Sequence, residues 1–228
     1  MDIKEQLKEM VAKEVMKYVE TDMVIGLGSG STMVYVINEI AKAIEEGRIR
    51  KIIGVPTSFQ SEILGRELGI QIVDFNQVNR IDLAIDGADE VDPEKRLIKG
   101  GGGAHTREKY IDYFADRLII VVDESKLVQR LGQRFAVPVE VLPQTYQSVK
   151  KRLLQMNGEP QLRMAIRKAG PVITDQGNFI LDVKFRDIDN PKQMENNLNN
   201  IPGVIENGIF TKRVEEVLIG SYSDGKMK

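Results

Sequence analysis

The chain of 228 residues contains no cysteine. Disulfides, thiolate nucleophiles and cysteine-ligated metals are therefore excluded together, while the compartment is left open. Histidine is nearly absent too: His105 stands alone, so no relay of imidazoles can be built and a metal site would have to rest on carboxylates and a hard cation such as magnesium. No basic excess exists, because 32 Lys and Arg face 34 Asp and Glu for a net charge of −2. A protein that tracks nucleic-acid phosphates needs such an excess, so any anionic ligand must be met by a local site. Long apolar runs are missing as well. Nothing approaches the ~20 residues of a membrane span, and the N-terminal DIKEQLKEMVAKEVMKYV is charged throughout, without the apolar core and cleavage site of a secretion signal. A soluble cytoplasmic protein, touching neither nucleic acid nor membrane, is the expectation.

What is present reads as an ordinary globular composition, 42% hydrophobic and 29% charged. Ile3, Leu7, Met10, Val11, Val15, Tyr18 and Val19 recur at three- and four-residue steps, which predicts an amphipathic first helix. MVIGLG is a short apolar run ending in glycines. A second helix follows, capped by Ser31 or a neighbour, with Gly47 placed to end it. KIIGVP, IQIVDF, IDLAID, RLIKG and the apolar run LIIVVD read as strands alternating with the helices SFQSEILGREL and TREKYIDYFADR. That alternation predicts a mostly parallel, three-layer α/β domain. Its ligand site should lie at the carboxyl ends of the strands, where GLGSGST, DGADE and KGGGGA all fall.

Beyond about residue 130 the order becomes strand, helix, strand, strand, helix, strand, with the middle pair joined across DQGN. This is the split βαβ, ferredoxin-like pattern of a second, smaller α+β domain. The expected division gives residues 1–129 and 208–228 to the α/β catalytic domain and 130–207 to the small one, with the last apolar run, RVEEVLIGS, able to return to the first sheet.

Three loops hold the chemistry. In Gly26-Leu27-Gly28-Ser29-Gly30-Ser31-Thr32 backbone N–H groups, hydroxyls and a helix N-terminus can converge on an anion such as phosphate. The run lacks the lysine of a nucleotide P-loop and spaces its glycines GxGxG, not GxGxxG; a tight turn that merely needs glycine is the alternative. Asp86, Asp89 and Glu90 put carboxylates in one loop, suited to acid–base work but also to an acidic turn. Lys99 precedes Gly100, Gly101, Gly102 and Gly103, a run that lets backbone press against a ligand at high entropic cost. Glu108 falls in the first turn of the next helix, where a carboxylate is favoured by the dipole even without a function. His105 reads as loop structure, and Lys8 and Lys126 as surface cations that could meet a phosphate.

GLGSGST, VPTS at 55–58, DGADEVD and above all KGGGGAHTREK closely resemble, in order, the signature segments of type A ribose-5-phosphate isomerases. VVDESK, VPVEV, NFILDV and IPGV extend the resemblance over essentially the whole chain. It implies interconversion of ribose 5-phosphate and ribulose 5-phosphate in the non-oxidative pentose phosphate pathway, with no cofactor and no metal. By the same resemblance Glu108 is the catalytic base that moves a proton between C1 and C2 through an enediolate, and Lys99 with the amides around Gly100, Gly101 and Gly102 steadies charge on the carbonyl oxygen. Asp86 and Asp89 match positions that contact sugar hydroxyls, Asp86 being the better placed to assist ring opening. Ser29, Gly30, Ser31 and Thr32 match the segment lining the substrate site, and Lys8 and Lys126 match its lysines. Gly103 departs from the family pattern. A homodimer or homotetramer with the smaller domain in the contacts is implied too.

Two other readings use the same fold logic. A sugar-phosphate sensor of a transcriptional regulator would need a DNA-binding module, which the net charge does not suggest. A relative acting on an amino sugar phosphate or a CoA ester would share the glycine loop but not the Lys99 and Glu108 that flank the tetraglycine.

Overall fold

The computed structural model describes residues 3–221. In chain order the elements are α1 (Ile3–Val15), β1 (Val24–Leu27), α2 (Ser31–Glu45), β2 (Ile53–Pro56), α3 (Phe59–Glu67), β3 (Gln71–Ile72), β4 (Leu83–Asp86), β5 (Glu90–Val91), β6 (Leu97–Ile98), α4 (His105–Phe114) and β7 (Arg117–Asp123). There follow β8 (Val137–Val141), α5 (Tyr146–Gln155), β9 (Gly158–Leu162), β10 (Phe179–Phe185), α6 (Pro191–Asn199), β11 (Val204–Asn207), β12 (Ile209–Phe210) and β13 (Glu216–Gly220). Contacts divide these residues into two units: those up to Ala88, Arg107–Lys126 and those from Arg213 onward form the first, Asp89–Thr106 and Leu127–Lys212 the second. No helix among the described residues is long and apolar enough to cross a membrane.

The first unit is built on a six-stranded sheet in the order β13-β7-β4-β1-β2-β3, every neighbouring pair parallel. Side chains alternate across a strand, and the consequence is visible residue by residue. Ile25, Leu27, Leu83, Ile85, Ile119, Val121 and Leu218 join a core with Val11 and Val15 of α1 and Val36, Ile37 and Ile40 of α2. Gly26 and Ala84 face the other way, where Ile111 of α4 lies only 2.8 Å from the place a β-carbon on Gly26 would occupy. Helices therefore cover both faces of the sheet, the three-layer α/β architecture expected. The apolar stretch of β7 is buried along its length, as a central parallel strand requires. Strand order reverses between β1 and β4, and in open parallel sheets the crevice beyond the carboxyl ends at such a reversal is where ligands bind.

The second unit has a four-stranded antiparallel sheet, β11-β8-β10-β9. With α5 and α6 it completes the βαββαβ order. Val137, Val139 and Val141 of β8 and Leu181 and Val183 of β10 pack with Val149 and Leu153 of α5 and Leu198 of α6. A three-stranded antiparallel sheet, β12-β6-β5, belongs to the same unit.

The structure departs from the expected boundaries in places that have physical causes. RLIKG does not extend the parallel sheet: Leu97 and Ile98 pair antiparallel with Phe210 and Ile209 and with Val91 and Glu90. Those pairings draw residues 89–106 and 208–212 into the second unit, whereas the expected division had assigned them to the first. ENGIF is two strands, not one, interrupted at Gly208, where a β-carbon would sit 2.3 Å from the Lys99 carbonyl oxygen. IQIVDF shortens to Gln71–Ile72 because Asp74 caps a 3-10 turn over Phe75–Gln77, accepting from the Asn76 N–H.

Candidate active site

In the first unit the turn after β1 is shaped by Asp86 at the end of β4. A β-carbon on Gly28 would fall 2.2 Å from Asp86 Oδ1 and 2.6 Å from Asp86 Cα, so glycine alone lets the two strand ends meet. The Ser29 N–H donates to Asp86 Oδ1 at 3.0 Å, and the Gly87 N–H donates to the same oxygen at 2.7 Å. The Asp86 carboxylate is fully buried, and these two bonds fix its orientation. Ser29 Oγ hydrogen-bonds with Thr57 Oγ1 at 2.7 Å and donates to Ser58 Oγ, which ties the loop to the end of β2. Ser58 also caps α3 through the Ser61 N–H. The second helix is capped by Gly30, the neighbour of Ser31, with no side-chain bond. Gly30 needs its φ of +96° for this turn, and its N–H donates to Gln60 Oε1 at 2.9 Å. Ser31 and Thr32 open α2, so their uncapped N–H groups and the positive end of the helix suit an anion.

Glu108 lies in the first turn of α4 and is 6% exposed. Ile111, one turn later on the same helix, is the residue packed at Gly26. The Arg107 guanidinium carbon stands 4.6 Å from the centroid of Phe59, the first residue of α3. Both contacts put the N-terminal turn of α4 at the carboxyl edge of the parallel sheet, as the antiparallel run of a crossover helix demands. Lys126 is half-buried in the 3-10 turn that follows β7, at that edge. Lys8 is half-buried beside Leu7, whose Cβ lies 3.1 Å from the β-carbon position of Gly220 at the end of β13. Asp86, Ser29 to Thr32, Glu108, Lys126 and Lys8 thus share one edge of the first unit.

The remaining candidates lie in the second unit. Lys99 is 2% exposed, its Nζ 5.5 Å from the centroid of the Phe210 ring and its N–H donated to the Gly208 carbonyl at 2.9 Å. Asp89 accepts the Gly101 N–H through Oδ2 at 2.7 Å. The Gly103 N–H returns to the Gly100 carbonyl at 3.0 Å, and Gly100 and Gly103 adopt φ of +106° and +79°. His105 is buried and opens α4, so it is helix, not loop; its imidazole fills the space that a Gly100 side chain would take.

Glu90 separates from the other carboxylates of its loop. It is 1% exposed and accepts three backbone N–H groups, from Gly132, Arg134 and Phe135, at 2.6, 2.6 and 2.7 Å. It organises the loop before β8, a role that no spacing in the sequence announces. Gln60, Arg163 and Glu140 carry no such signal in the sequence either, because their partners are distant in the chain. Among the described residues no group of three or more His, Asp or Glu side chains is arranged to hold a metal ion.

Comparison with known proteins identifies the family. Residues 53–224 match the family model of ribose 5-phosphate isomerase A, also called phosphoriboisomerase A. The ribose-5-phosphate isomerase A of Trichormus variabilis is 52% identical over 220 residues, covering 96% of this chain and 93% of its own. A solved D-ribose-5-phosphate isomerase in complex with phospho-erythronic acid superposes with a TM-score of 0.96 at 49% identity, over 100% of this chain and 99% of that one. The ribose 5-phosphate isomerase A of Methanocaldococcus jannaschii gives a TM-score of 0.93 at 48% identity, with 98% of each chain covered. Sequence, fold and the order of the loops together establish that the chain belongs to the ribose 5-phosphate isomerase A family.

Proposed function

We propose that Glu108 is the proton-transfer residue of an aldose–ketose isomerisation. The reaction is the family's, the interconversion of D-ribose 5-phosphate and D-ribulose 5-phosphate. The observation that carries the assignment is a carboxylate held almost free of solvent in the first turn of α4, beside the carboxyl ends of β1 and β4. A carboxylate suits the task because it serves as base in one half-reaction and as acid in the next. Glu108 takes the proton from C2 of the open-chain aldose, leaving an enediolate, and returns it to C1. A second proton moves between O1 and O2.

Lys99 and the amides of Gly100, Gly101 and Gly102 oppose the negative charge that develops on the oxygens. Asp86, fixed by Ser29 and Gly87, assists ring opening, and Asp89 holds a sugar hydroxyl. Ser29, Gly30, Ser31 and Thr32 line the substrate site, with Lys8 and Lys126 meeting the phosphate. The relative held in complex with phospho-erythronic acid supports this reading, because that ligand is a phosphorylated sugar acid. No metal takes part. The protein works in the cytoplasm as a homodimer or homotetramer, the smaller domain providing contacts, with Glu108 and Asp86 contributed by the first unit and Lys99 and Asp89 by the second. Purified protein incubated with ribose 5-phosphate tests the reading, with appearance of ribulose 5-phosphate as the expected result.

A further inference from the structure

Four consecutive glycines have no side chains to hold them, and ordering each backbone costs roughly 1–2 kcal/mol. Something outside the run must fix it. Asp89 takes the Gly101 N–H and Lys99 binds Gly208, but neither acts on the carbonyl groups. Those are held by Arg163, the residue just after β9. Its Nη1 donates to the Gly100 carbonyl at 2.9 Å and to the Gly101 carbonyl at 3.1 Å. The guanidinium is itself locked. Nε donates to Asp182 Oδ2 at 2.9 Å and Nη2 to Asp182 Oδ1, a two-pronged pair whose side chains are 15% and 28% exposed. Because the guanidinium is planar, that pair sets the direction of Nη1. The Arg163 backbone is pinned as well, its N–H to the Ile180 carbonyl and its carbonyl to the Val172 N–H, both at 2.9 Å.

The consequence for the loop follows from peptide geometry. A trans peptide points its N–H opposite its C=O. The peptide joining Gly100 and Gly101 is therefore gripped at both ends, by Arg163 at oxygen and Asp89 at nitrogen. In the next peptide Arg163 holds the Gly101 oxygen, so the Gly102 N–H is turned away from the guanidinium. The N–H groups of Gly101 and Gly103 have partners within the loop and its neighbours; among the described residues that of Gly102 has none, and Gly102 is exposed. A cation on the carbonyl also polarises the same amide and strengthens its N–H as a donor.

We infer that Arg163, oriented by Asp182, is a positioning residue that presets the tetraglycine loop and aims the Gly102 N–H at the oxygen on which charge develops during isomerisation. This rests on the proton-transfer reading above. It assigns a catalytic consequence to an ion pair on the β9–β10 sheet that touches no reacting atom itself.

The test uses the full-length protein, the variants Arg163→Met, Arg163→Lys and Asp182→Asn, and two probes: phospho-erythronic acid, charged at its carboxyl end, and ribitol 5-phosphate, neutral there. Arg163→Met should lower kcat on the order of 10- to 100-fold, less than loss of a direct donor, with KM for ribose 5-phosphate changed by less than about 3-fold. Affinity for phospho-erythronic acid should fall about as much as kcat, while affinity for ribitol 5-phosphate stays within about 3-fold. Arg163→Lys, which keeps a charged donor, and Asp182→Asn, which loosens the guanidinium, should fall between Arg163→Met and the unaltered protein in both kcat and acid affinity. Equal weakening of both probes in all three variants would show a merely structural role and overturn the inference, as would unaltered kcat. The unaltered protein separates the two levels. If it isomerises and Arg163→Met does so equally well, only this inference is lost; if it does not isomerise at all, the proton-transfer reading fails first.

Discussion

The Ser29 N–H donates to Asp86 Oδ1 at 3.0 Å, so that the loop after β1 and the last residue of β4 are fastened together at the reversal point of the parallel sheet. Gly28 makes that approach possible, since any side chain there would overlap Asp86. Gly28→Ala should therefore displace Asp86 and lower both stability and activity. Overpacking of this kind costs about 1–3 kcal/mol. A thermal melt and the isomerase assay would register a lower Tm and a kcat/KM reduced by more than about 10-fold. Gly30→Ala makes no contact within 4 Å but sits at φ +96° and ψ −179°, so its cost should be the backbone strain alone, about 1–3 kcal/mol.

Glu90 and Asp86 are neighbours in one acidic segment with separate tasks. Glu90→Leu strands the N–H groups of Gly132, Arg134 and Phe135, and leaving such buried donors unpaired should cost on the order of 3 kcal/mol of stability. Chemical denaturation would show this as a lower midpoint. Asp86→Asn should instead spare most of the stability and lower turnover.

Lys126 and Lys8 stand at the carboxyl edge of the first unit's sheet without a catalytic part in the proposal. Lys126→Met should raise KM for ribose 5-phosphate roughly 10-fold while leaving kcat within about 3-fold, the pattern of lost uniform binding. The effect should shrink as salt rises, since exposed charges are screened. Steady-state kinetics at two ionic strengths decide it.

Metal removal should leave turnover intact. After treatment with EDTA the enzyme should interconvert the two pentose phosphates at its original rate, and added magnesium should not increase it. A rate that vanishes with EDTA and returns with metal would contradict a purely carboxylate mechanism.

Much of this was legible in the chain because it is encoded locally. The period of α1, the apolar run of β7 and the glycines after β1 each carry their structural meaning within a few residues. The two-unit pattern was legible for the same reason, as the helices and strands after residue 130 change order. What lay hidden depends on partners far apart in sequence. RLIKG reads like another parallel strand until Ile209 and Phe210 pair with it. Glu90 looks like its acidic neighbours until the N–H groups of Gly132, Arg134 and Phe135 close around it. Arg163 resembles any surface arginine, 63 residues from the Gly100 carbonyl it holds. Glu108 was the opposite case: by itself it is an ordinary first-turn carboxylate favoured by the helix dipole, and only the motif around it raised it above that.

The measurement that bears most directly on the account is the turnover of Glu108→Gln with EDTA present. The substitution keeps the shape of a side chain that is 6% exposed and removes its ability to accept and return a proton. General acid–base catalysis contributes roughly 10²- to 10⁴-fold, so kcat should fall by at least about 100-fold with KM within a few-fold and an unchanged Tm. A Glu108→Gln variant that turns over ribose 5-phosphate near the original rate would contradict the assignment of Glu108 as the proton-transfer residue.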